Sequence, residues 1–165
     1  MNTLDSGLTV RDATARDAEC IHRMIQSLAR SVGMGQYMRS TVEDIRRFGF
    51  SEPPCFHALI AERAGEAVGL CIYFFSFSSW MGCRGVYVQD LWVDNSQRGN
   101  GLGRRLIGET ARRAGEQGAA FMRLSVDGEN VAAQRFYSNI GLEYAEHECI
   151  FKAVGERFEA LKQLN

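Results

Sequence analysis

The stretch Gln97-Arg98-Gly99-Asn100-Gly101-Leu102-Gly103 decides the fold of this chain. It follows an apolar run over residues 86–93 and precedes a segment with apolar residues at helical spacing, so the predicted order is strand, glycine loop, helix. Glycines let backbone N–H groups converge without interference from Cβ atoms. The first turn of a helix adds N–H groups without intrahelical partners and the positive end of the helix dipole. The stretch therefore predicts a phosphate-binding site.

The spacing of the glycines excludes two common phosphate-binding motifs. A dinucleotide fingerprint would place its last glycine at Arg104 or Leu106, and a P-loop would need a Gly-Lys-Ser/Thr triplet, which the sequence lacks. The pattern Arg98-x-x-Gly101-x-Gly103 instead resembles the R/Q-x-x-G-x-G/A loop of the GCN5-related N-acetyltransferases. The resemblance implies that the loop holds the pyrophosphate of acetyl-coenzyme A. The alternative is a glycine-rich turn that caps a helix.

Composition and charge bound the other possibilities. The 165 residues suit a single domain over residues 1–165, and the net charge of −1 gives no reason to expect nucleic acid or a membrane surface as a partner. The longest apolar run, residues 68–75, is far shorter than a transmembrane helix, and residues 1–9 lack a basic and apolar signal. The five cysteines contain no C-x-x-C pair, so neither a disulfide framework nor a zinc site is expected. Reduced thiols suit a cytoplasmic location.

Caps, breakers and periodicity predict alternating strands and helices. Thr14 with Asp17 and Thr41 with Asp44 read as capping boxes, Asn130 as an N-cap, and Gly118 as the residue that ends the helix after the loop. Predicted strands cover residues 8–11, 57–62, 68–77, 86–93, 121–126 and 148–153. Predicted helices cover residues 15–32, 42–48, 102–117, 131–140 and 155–164.

This order of elements is similar to that of the GCN5-related N-acetyltransferases. The resemblance implies one α/β (α+β) domain with a mixed, mostly antiparallel sheet that is splayed between its central strands and flanked by helices. The blocks Trp80-x-Gly82 and Tyr87-x-x-Asp90-x-x-Val93 further resemble the diamine acetyltransferases, which include the spermidine/spermine and thialysine enzymes. The resemblance also implies a homodimer.

Three groups of residues are implied to hold acetyl-coenzyme A. If the strand over residues 86–93 splays from its neighbour, the backbone around Leu91, Trp92 and Val93 would hold the pantetheine arm; the alternative is a fully paired strand. The remaining candidates lie in the loop and in the helix after Asn130. The implied set is Leu91, Trp92, Val93, Arg98, Gly99, Asn100, Gly101, Leu102, Gly103, Arg104, Asn130, Ala133 and Tyr137.

Tyr137 is the candidate general acid. It lies in Asn130-x-x-Ala133-x-x-Phe136-Tyr137, which resembles the second signature of the family, and helical spacing places Ala133 and Tyr137 on one face. A phenol can give a proton to a departing thiolate and stay neutral at rest. Packing of an aromatic ring is the alternative for Tyr137, and a plain N-cap is the alternative for Asn130.

The pair Gln89-Asp90 departs from the Glu-Asp pair of the diamine acetyltransferases. Regular alternation would send the two side chains to opposite faces of the strand. Glutamine accepts no proton and pairs with no ammonium as glutamate does, which weighs against long polyamines. Asp90 is a candidate for binding a substrate ammonium or relaying a proton through water, and a structural acceptor is the alternative.

Aromatic residues before this strand suggest a wall for an acceptor pocket, with Trp80 as its main member beside Phe74, Phe75 and Phe77; core packing is the alternative. Glu146 and Glu148 could supply acidic contacts or lie in solvent. The three histidines lack ligand spacing, so no metal is expected. The resulting interpretation is an acetyl-coenzyme A-dependent N-acetyltransferase that acts on a small primary amine by direct attack. A protein or peptide N-acetyltransferase and a non-catalytic acyl-coenzyme A sensor are the alternatives.

Overall fold

A computed structural model describes residues 7–164 of the chain. The described residues form two compact units, 7–125 and 126–164. The strands are β1 (Leu8–Asp12), β2 (His57–Arg63), β3 (Glu66–Ser78), β4 (Cys83–Val93) and β5 (Ala119–Leu124). The helices are α1 (Ala18–Ser31), α2 (Val42–Gly49), α3 (Leu102–Glu116), α4 (Val131–Asn139) and α5 (Glu156–Leu161). The predicted absence of an N-terminal signal concerns residues 1–9, of which residues 1–6 lie outside the described part.

The first unit contains a five-stranded mixed sheet in the order β1-β2-β3-β4-β5. The first three pairings are antiparallel and the pairing of β4 with β5 is parallel, which confirms the predicted mixed, mostly antiparallel sheet. A parallel pair needs a crossover connection, and α3 supplies it. Gly85 is required in this pair, because a Cβ atom there would come within 2.2 Å of the Phe121 ring.

Helices cover both faces of the sheet. On one face, Ala18, Ile21 and Met24 of α1 and Ile45 of α2 pack against the sheet in a single buried cluster. The sheet residues of this cluster are Ala58, Ile60, Leu70, Ile72 and Trp92. On the opposite face, the hydroxyl of Thr110 in α3 donates a hydrogen bond of 3.3 Å to the thiol of Cys71. Leu102 and Leu106 approach Gly69 on this same face. The two layers of helices confirm the predicted fold class.

Arg11 links β1 by hydrogen bonds to β2 and to the segment before α1. Its guanidinium donates to both carboxylate oxygens of Asp17 at 2.9 and 2.8 Å and to Glu62 of β2 at 3.0 and 2.5 Å. Asp17 also accepts from the Thr14 backbone N–H at 2.7 Å and completes the predicted capping box. The hydrogen bonds from Arg11 lower the pKa of Asp17 to about 2.

We expect Asp17→Asn to lower the free energy of unfolding at pH 7 by ~1.5–3 kcal/mol, because hydrogen bonds to charged groups contribute in this range. The folded-state pKa lies below the unfolded value of ~3.9, so this stabilisation is present above that value and is lost as the pH falls through about 2. The difference between variant and wild type should therefore shrink between pH 4 and pH 2. Urea unfolding over this range measures it.

Glu43→Gln is the control, since Glu43 pairs with Arg46 at 3.5 Å on an exposed surface and should contribute little. A penalty for Asp17→Asn that is as large near pH 2 as at pH 7 would contradict the role of the carboxylate charge.

The second unit contains α4 and α5. The Asn130 side chain accepts from the Ala133 backbone N–H at 3.0 Å, and Gly141 has a φ of +99° just beyond the end of α4, so both predicted boundaries of this helix are confirmed. The predicted strand over residues 148–153 is wrong. These residues form no strand, and Ile150 and Phe151 are consecutive and both exposed. A strand needs a hydrogen-bonded partner, and this segment pairs with none within the described residues.

The pairing of β4 with β5 stops at Val88, so these strands separate between the two segments for which the sequence predicted the splay. Among the described residues, β5 is the edge strand of the sheet rather than a central one. Within residues 7–164 we find no helix with the length and apolar character needed to cross a membrane.

Candidate active site

The loop after β4 has the backbone conformation that its sequence predicts. Gly99 and Gly101 both have a φ of +77°, and Gly101 is the N-cap of α3. Arg98 folds back, with its Nε donating to the carbonyl oxygen of Val93 at 3.2 Å. The loop residues 98–101 are exposed.

The first turn of α3 carries no acidic side chain and contains Arg104 and Arg105. The amides of Leu102 and Gly103 lie in this turn, before the first i→i−4 hydrogen bond of the helix, which Arg105 donates to the carbonyl of Gly101 at 3.0 Å. Backbone donors, a positive dipole end and the cationic Arg104 make this turn suitable for a pyrophosphate, whereas the Arg105 guanidinium donates to the carbonyl of Leu8 at 3.3 Å. The donor set therefore fits the coenzyme that the sequence predicts.

The pairing of β4 with β5 stops before the end of β4. The parallel register runs from Arg84 opposite Ala119 to Val88 opposite Leu124. Beyond Val88, the residues of β4 have a strand partner on the β3 side alone, among the residues that the structure describes. Leu91, Trp92 and Val93 thus lie on a strand segment that is open toward β5. An extended ligand can add to such an edge by hydrogen bonds to its backbone.

A β-bulge in β4 sets the direction of Asp90. Val88 lies opposite Tyr73 and Asp90 lies opposite Ile72, so Gln89 is the extra residue. Regular alternation of side chains along β4 would place Val88 and Asp90 on the same face of the sheet. Because of the bulge, they lie opposite Tyr73 and Ile72, which are consecutive in β3, so Val88 and Asp90 lie on opposite faces. Asp90 therefore shares the face of Ile72, which packs against α1 and α2.

Asp90 and Gln89 differ in their surroundings. Gln89 is exposed, whereas Asp90 is half-buried, and burial raises the pKa of its carboxyl above the ordinary value. A carboxyl with a raised pKa accepts a proton more readily near neutral pH than an exposed one. The same carboxylate is also suited to a cationic ligand.

The structure adds two residues, Tyr87 and Ser125, to which the sequence analysis gave no role. The Tyr87 ring stacks on the Phe74 ring, with centroids 5.0 Å apart, and the Tyr87 hydroxyl lies 2.6 Å from the hydroxyl oxygen of Ser125. Tyr87 lies opposite Phe74 in the register. The spacing Tyr87-x-x-Asp90 was visible in the sequence, but only the bulge places both side chains on one face.

The predicted aromatic wall does not form. Phe74 and Phe75 are consecutive in a strand and lie on opposite faces, and Phe75 contacts Tyr73 and His57 instead. Trp80 is 99% exposed in the turn between β3 and β4. Asp90 lies seven residues beyond the start of β4, which is roughly 20 Å along the strand. The structure therefore does not bring Trp80 and Asp90 together.

In the second unit, α4 carries Ala133 and Tyr137 one turn apart. Tyr137 is half-buried and its ring packs edge-on against Phe136, with centroids 5.0 Å apart. The oxygen of Asn130 caps the helix, which is the structural role that the sequence argument left open. Glu146 and Glu148 are exposed. Among residues 7–164, no group of three or more His, Cys, Asp or Glu side chains is arranged to hold a metal ion.

Comparison with known proteins identifies relatives along most of the chain. The family model described as acetyltransferase (GNAT) family matches residues 21–142. Thialysine N-epsilon-acetyltransferase from Bos taurus is 33% identical over 163 residues, which cover 92% of this chain and 95% of that protein. Spermidine/spermine N(1)-acetyltransferase-like protein 1 from Homo sapiens is 30% identical, over 80% of this chain and 20% of that protein.

The fold also matches solved structures. The integron cassette protein VCH_CASS6 from the mobile metagenome of V. cholerae superposes with a TM-score of 0.81 at 20% identity, over 96% of this chain and 99% of that one. This likeness concerns the fold alone.

Proposed function

The chain belongs to the acetyltransferase (GNAT) family and is an N-acetyltransferase, and we propose that it transfers the acetyl group of acetyl-coenzyme A to a primary amine of a small molecule. The observation that carries the proposal is the glycine loop at the start of α3, directly after a strand whose last residues are open on one side. Relatives with thialysine and spermidine/spermine in their names support the choice of a small amine.

In this proposal, the pyrophosphate of the coenzyme lies at the loop and the first turn of α3, where residues 98–104 supply backbone donors and positive charge. The open backbone of Leu91, Trp92 and Val93 takes the pantetheine arm, with the Val93 N–H as donor to the thioester carbonyl. Asn130, Ala133 and Tyr137 complete the set from the sequence signature that they share with the family. When bound, the coenzyme supplies an acetyl thioester.

The chain's own residues then meet the proton requirements of the reaction. An alkylamine has a pKa of ~10.4 and must lose a proton before it attacks. Asp90, with its raised pKa, binds an ammonium group of the acceptor or relays the proton of the reacting one through water. Tyr137 gives a proton to the leaving sulfur. Direct transfer to the amine needs no nucleophilic side chain, and Cys83 and Cys149 have no part in it.

The acceptor in this proposal is a small amine with one or two charges, such as a short diamine or a lysine analogue. A spermine-sized polycation needs several carboxylates, and Gln89 stands where the diamine acetyltransferases have a glutamate. A screen of polyamines, lysine analogues, amino acids and peptides for coenzyme A thiol release tests the function. If none of the amines in the screen leads to thiol release at saturating acetyl-coenzyme A, the proposed function is excluded. The homodimer and the cytoplasmic location stay predictions.

We expect Asp90→Asn to raise the KM for a short diamine about tenfold or more, because a charge-assisted contact of ~1.5–3 kcal/mol is lost. The KM for acetyl-coenzyme A should stay nearly unchanged. Steady-state kinetics with each substrate varied in turn measures both constants. Glu66→Gln is the control, since Glu66 is an exposed carboxylate at the start of β3.

Gln89→Glu should shift the preference of the enzyme toward longer polyamines, because it restores the second carboxylate of the pair. If spermine is already the best acceptor of the wild type, this interpretation of Gln89 is wrong.

A further inference from the structure

One face of the sheet, beside the bulge of β4, carries two aromatic rings and a carboxylate. Tyr87 lies opposite Phe74, and Asp90 lies opposite Ile72. Phe74 and Ile72 are two residues apart on β3 and therefore point to the same face, about 7 Å from each other along the strand. Tyr87 and Asp90 therefore also lie on one face, about two strand positions apart. They are three positions apart in sequence, but Gln89 is the extra residue of the bulge.

The Tyr87 ring is held in place on two sides. Phe74 stacks against it at an interplanar angle of 23°, and Ser125, which follows the last residue of β5, binds its hydroxyl at 2.6 Å. This hydrogen bond joins β4 to the end of β5 at the point where their pairing stops. A ring fixed in this way presents a defined surface rather than a mobile one.

On this face Arg123 lies opposite Tyr87 in the register of β4 with β5, whereas Asp90 is paired with no cation among residues 7–164. The half-buried carboxylate of Asp90 makes no hydrogen bond or ion pair with any residue between 7 and 164. A carboxylate that is partly removed from water costs free energy when it has no hydrogen-bond donor or cation beside it, and a bound cationic ligand can offset that cost. An aromatic ring beside a carboxylate forms a suitable environment for an alkylammonium ion, because the ring face attracts a cation.

We propose that Tyr87 is a specificity-determining residue for the acceptor: its ring and the Asp90 carboxylate bind the second, non-reacting ammonium group of a diamine. Phe74 and Ser125 hold the ring. The inference rests on the proposed acetyl transfer to a small amine and names the feature by which the site selects its substrate, a second positive charge.

The test compares two acceptors that differ only in that charge, 1,5-diaminopentane and pentylamine. The wild type should have the higher kcat/KM for the diamine. Tyr87→Leu should reduce this preference about five- to tenfold, which is the range of a cation–π contact. The KM for acetyl-coenzyme A should not change. A residue with a structural role alone would lower kcat/KM for both amines equally.

Three further variants sharpen the result. Tyr87→Phe keeps the ring and should keep the preference within about twofold, whereas Ser125→Ala releases the hydroxyl and should lower the preference less than Tyr87→Leu does. Phe77→Leu is the matched control, since Phe77 is exposed and its parity places it on the face opposite Phe74. If Tyr87→Leu fails to fold, a series of increasingly fluorinated phenylalanines at position 87 keeps the shape and should lower the preference stepwise.

Two results would overturn the inference. One is a wild type that shows no preference for the diamine over pentylamine, and the other is a preference that Tyr87→Leu leaves unchanged. Both differ from failure of the proposed function, in which the wild type releases no thiol with any amine of the screen.

Discussion

Tyr137→Phe is expected to lower kcat by ~10²–10⁴-fold, the usual contribution of a general acid. The substitution removes the hydroxyl alone. The edge-on contact of the ring with Phe136, at 5.0 Å between centroids, is available to phenylalanine as well, so this packing is retained. The KM for acetyl-coenzyme A should also stay close to that of the wild type.

The measurement is steady-state thiol release with the best amine of the screen, together with the melting temperature of each variant. Tyr144→Phe is the control, because Tyr144 is an exposed tyrosine in the same unit and has no proposed role. An unchanged kcat for Tyr137→Phe would assign Tyr137 to packing. The leaving thiolate would then have to be stabilised by another donor.

The sequence predicted those parts of the fold that depend on local chemistry. The capping boxes Thr14–Asp17 and Thr41–Asp44 are both present, because the donor, the acceptor and the helix start all lie within four residues. The glycines after β4 have the positive φ that the loop requires, and Gly118 has a φ of +84° beyond the end of α3. Such features need no information about distant residues.

The features that the sequence did not predict depend on how strands pair with each other. The bulge at Gln89 arises from the register of β4 against β3, so the shared face of Tyr87 and Asp90 could not be seen in the alternation of β4 alone. The aromatic group around Trp80 was inferred from closeness in sequence, yet neighbouring strand residues point to opposite faces. Residues 148–153 have the composition of a strand, but they pair with no other strand among the described residues and therefore form none.

Gly101→Glu is expected to abolish the stabilisation of the protein by acetyl-coenzyme A. At a concentration of 100 Kd, a ligand that binds the folded state alone adds ~2.7 kcal/mol, which corresponds to a rise in Tm of about 5–10 °C for a chain of this size. The variant should show a rise near zero. Thermal unfolding with and without the coenzyme measures both values, and the comparison within each variant removes any change in its own Tm.

Two effects of Gly101→Glu act together, and a second variant separates them. Gly101 has a φ of +77°, which strains a residue with a Cβ atom, and the new carboxylate lies at the positive end of α3, where it competes with the pyrophosphate. Gly101→Asn tolerates the left-handed backbone and adds no charge, so it should retain most of the rise in Tm.

Gly108→Glu is the control for charge. Gly108 lies in the same helix about two turns from its start, is exposed, and has open space where a Cβ atom would lie. This variant should keep a rise in Tm close to that of the wild type, because the dipole effect falls off within the first turn. Equal losses in Gly101→Glu and Gly108→Glu would mean that net charge, and not the loop, governs binding. If acetyl-coenzyme A at saturation fails to raise the Tm of the wild type, the assignment of the loop to this coenzyme is wrong.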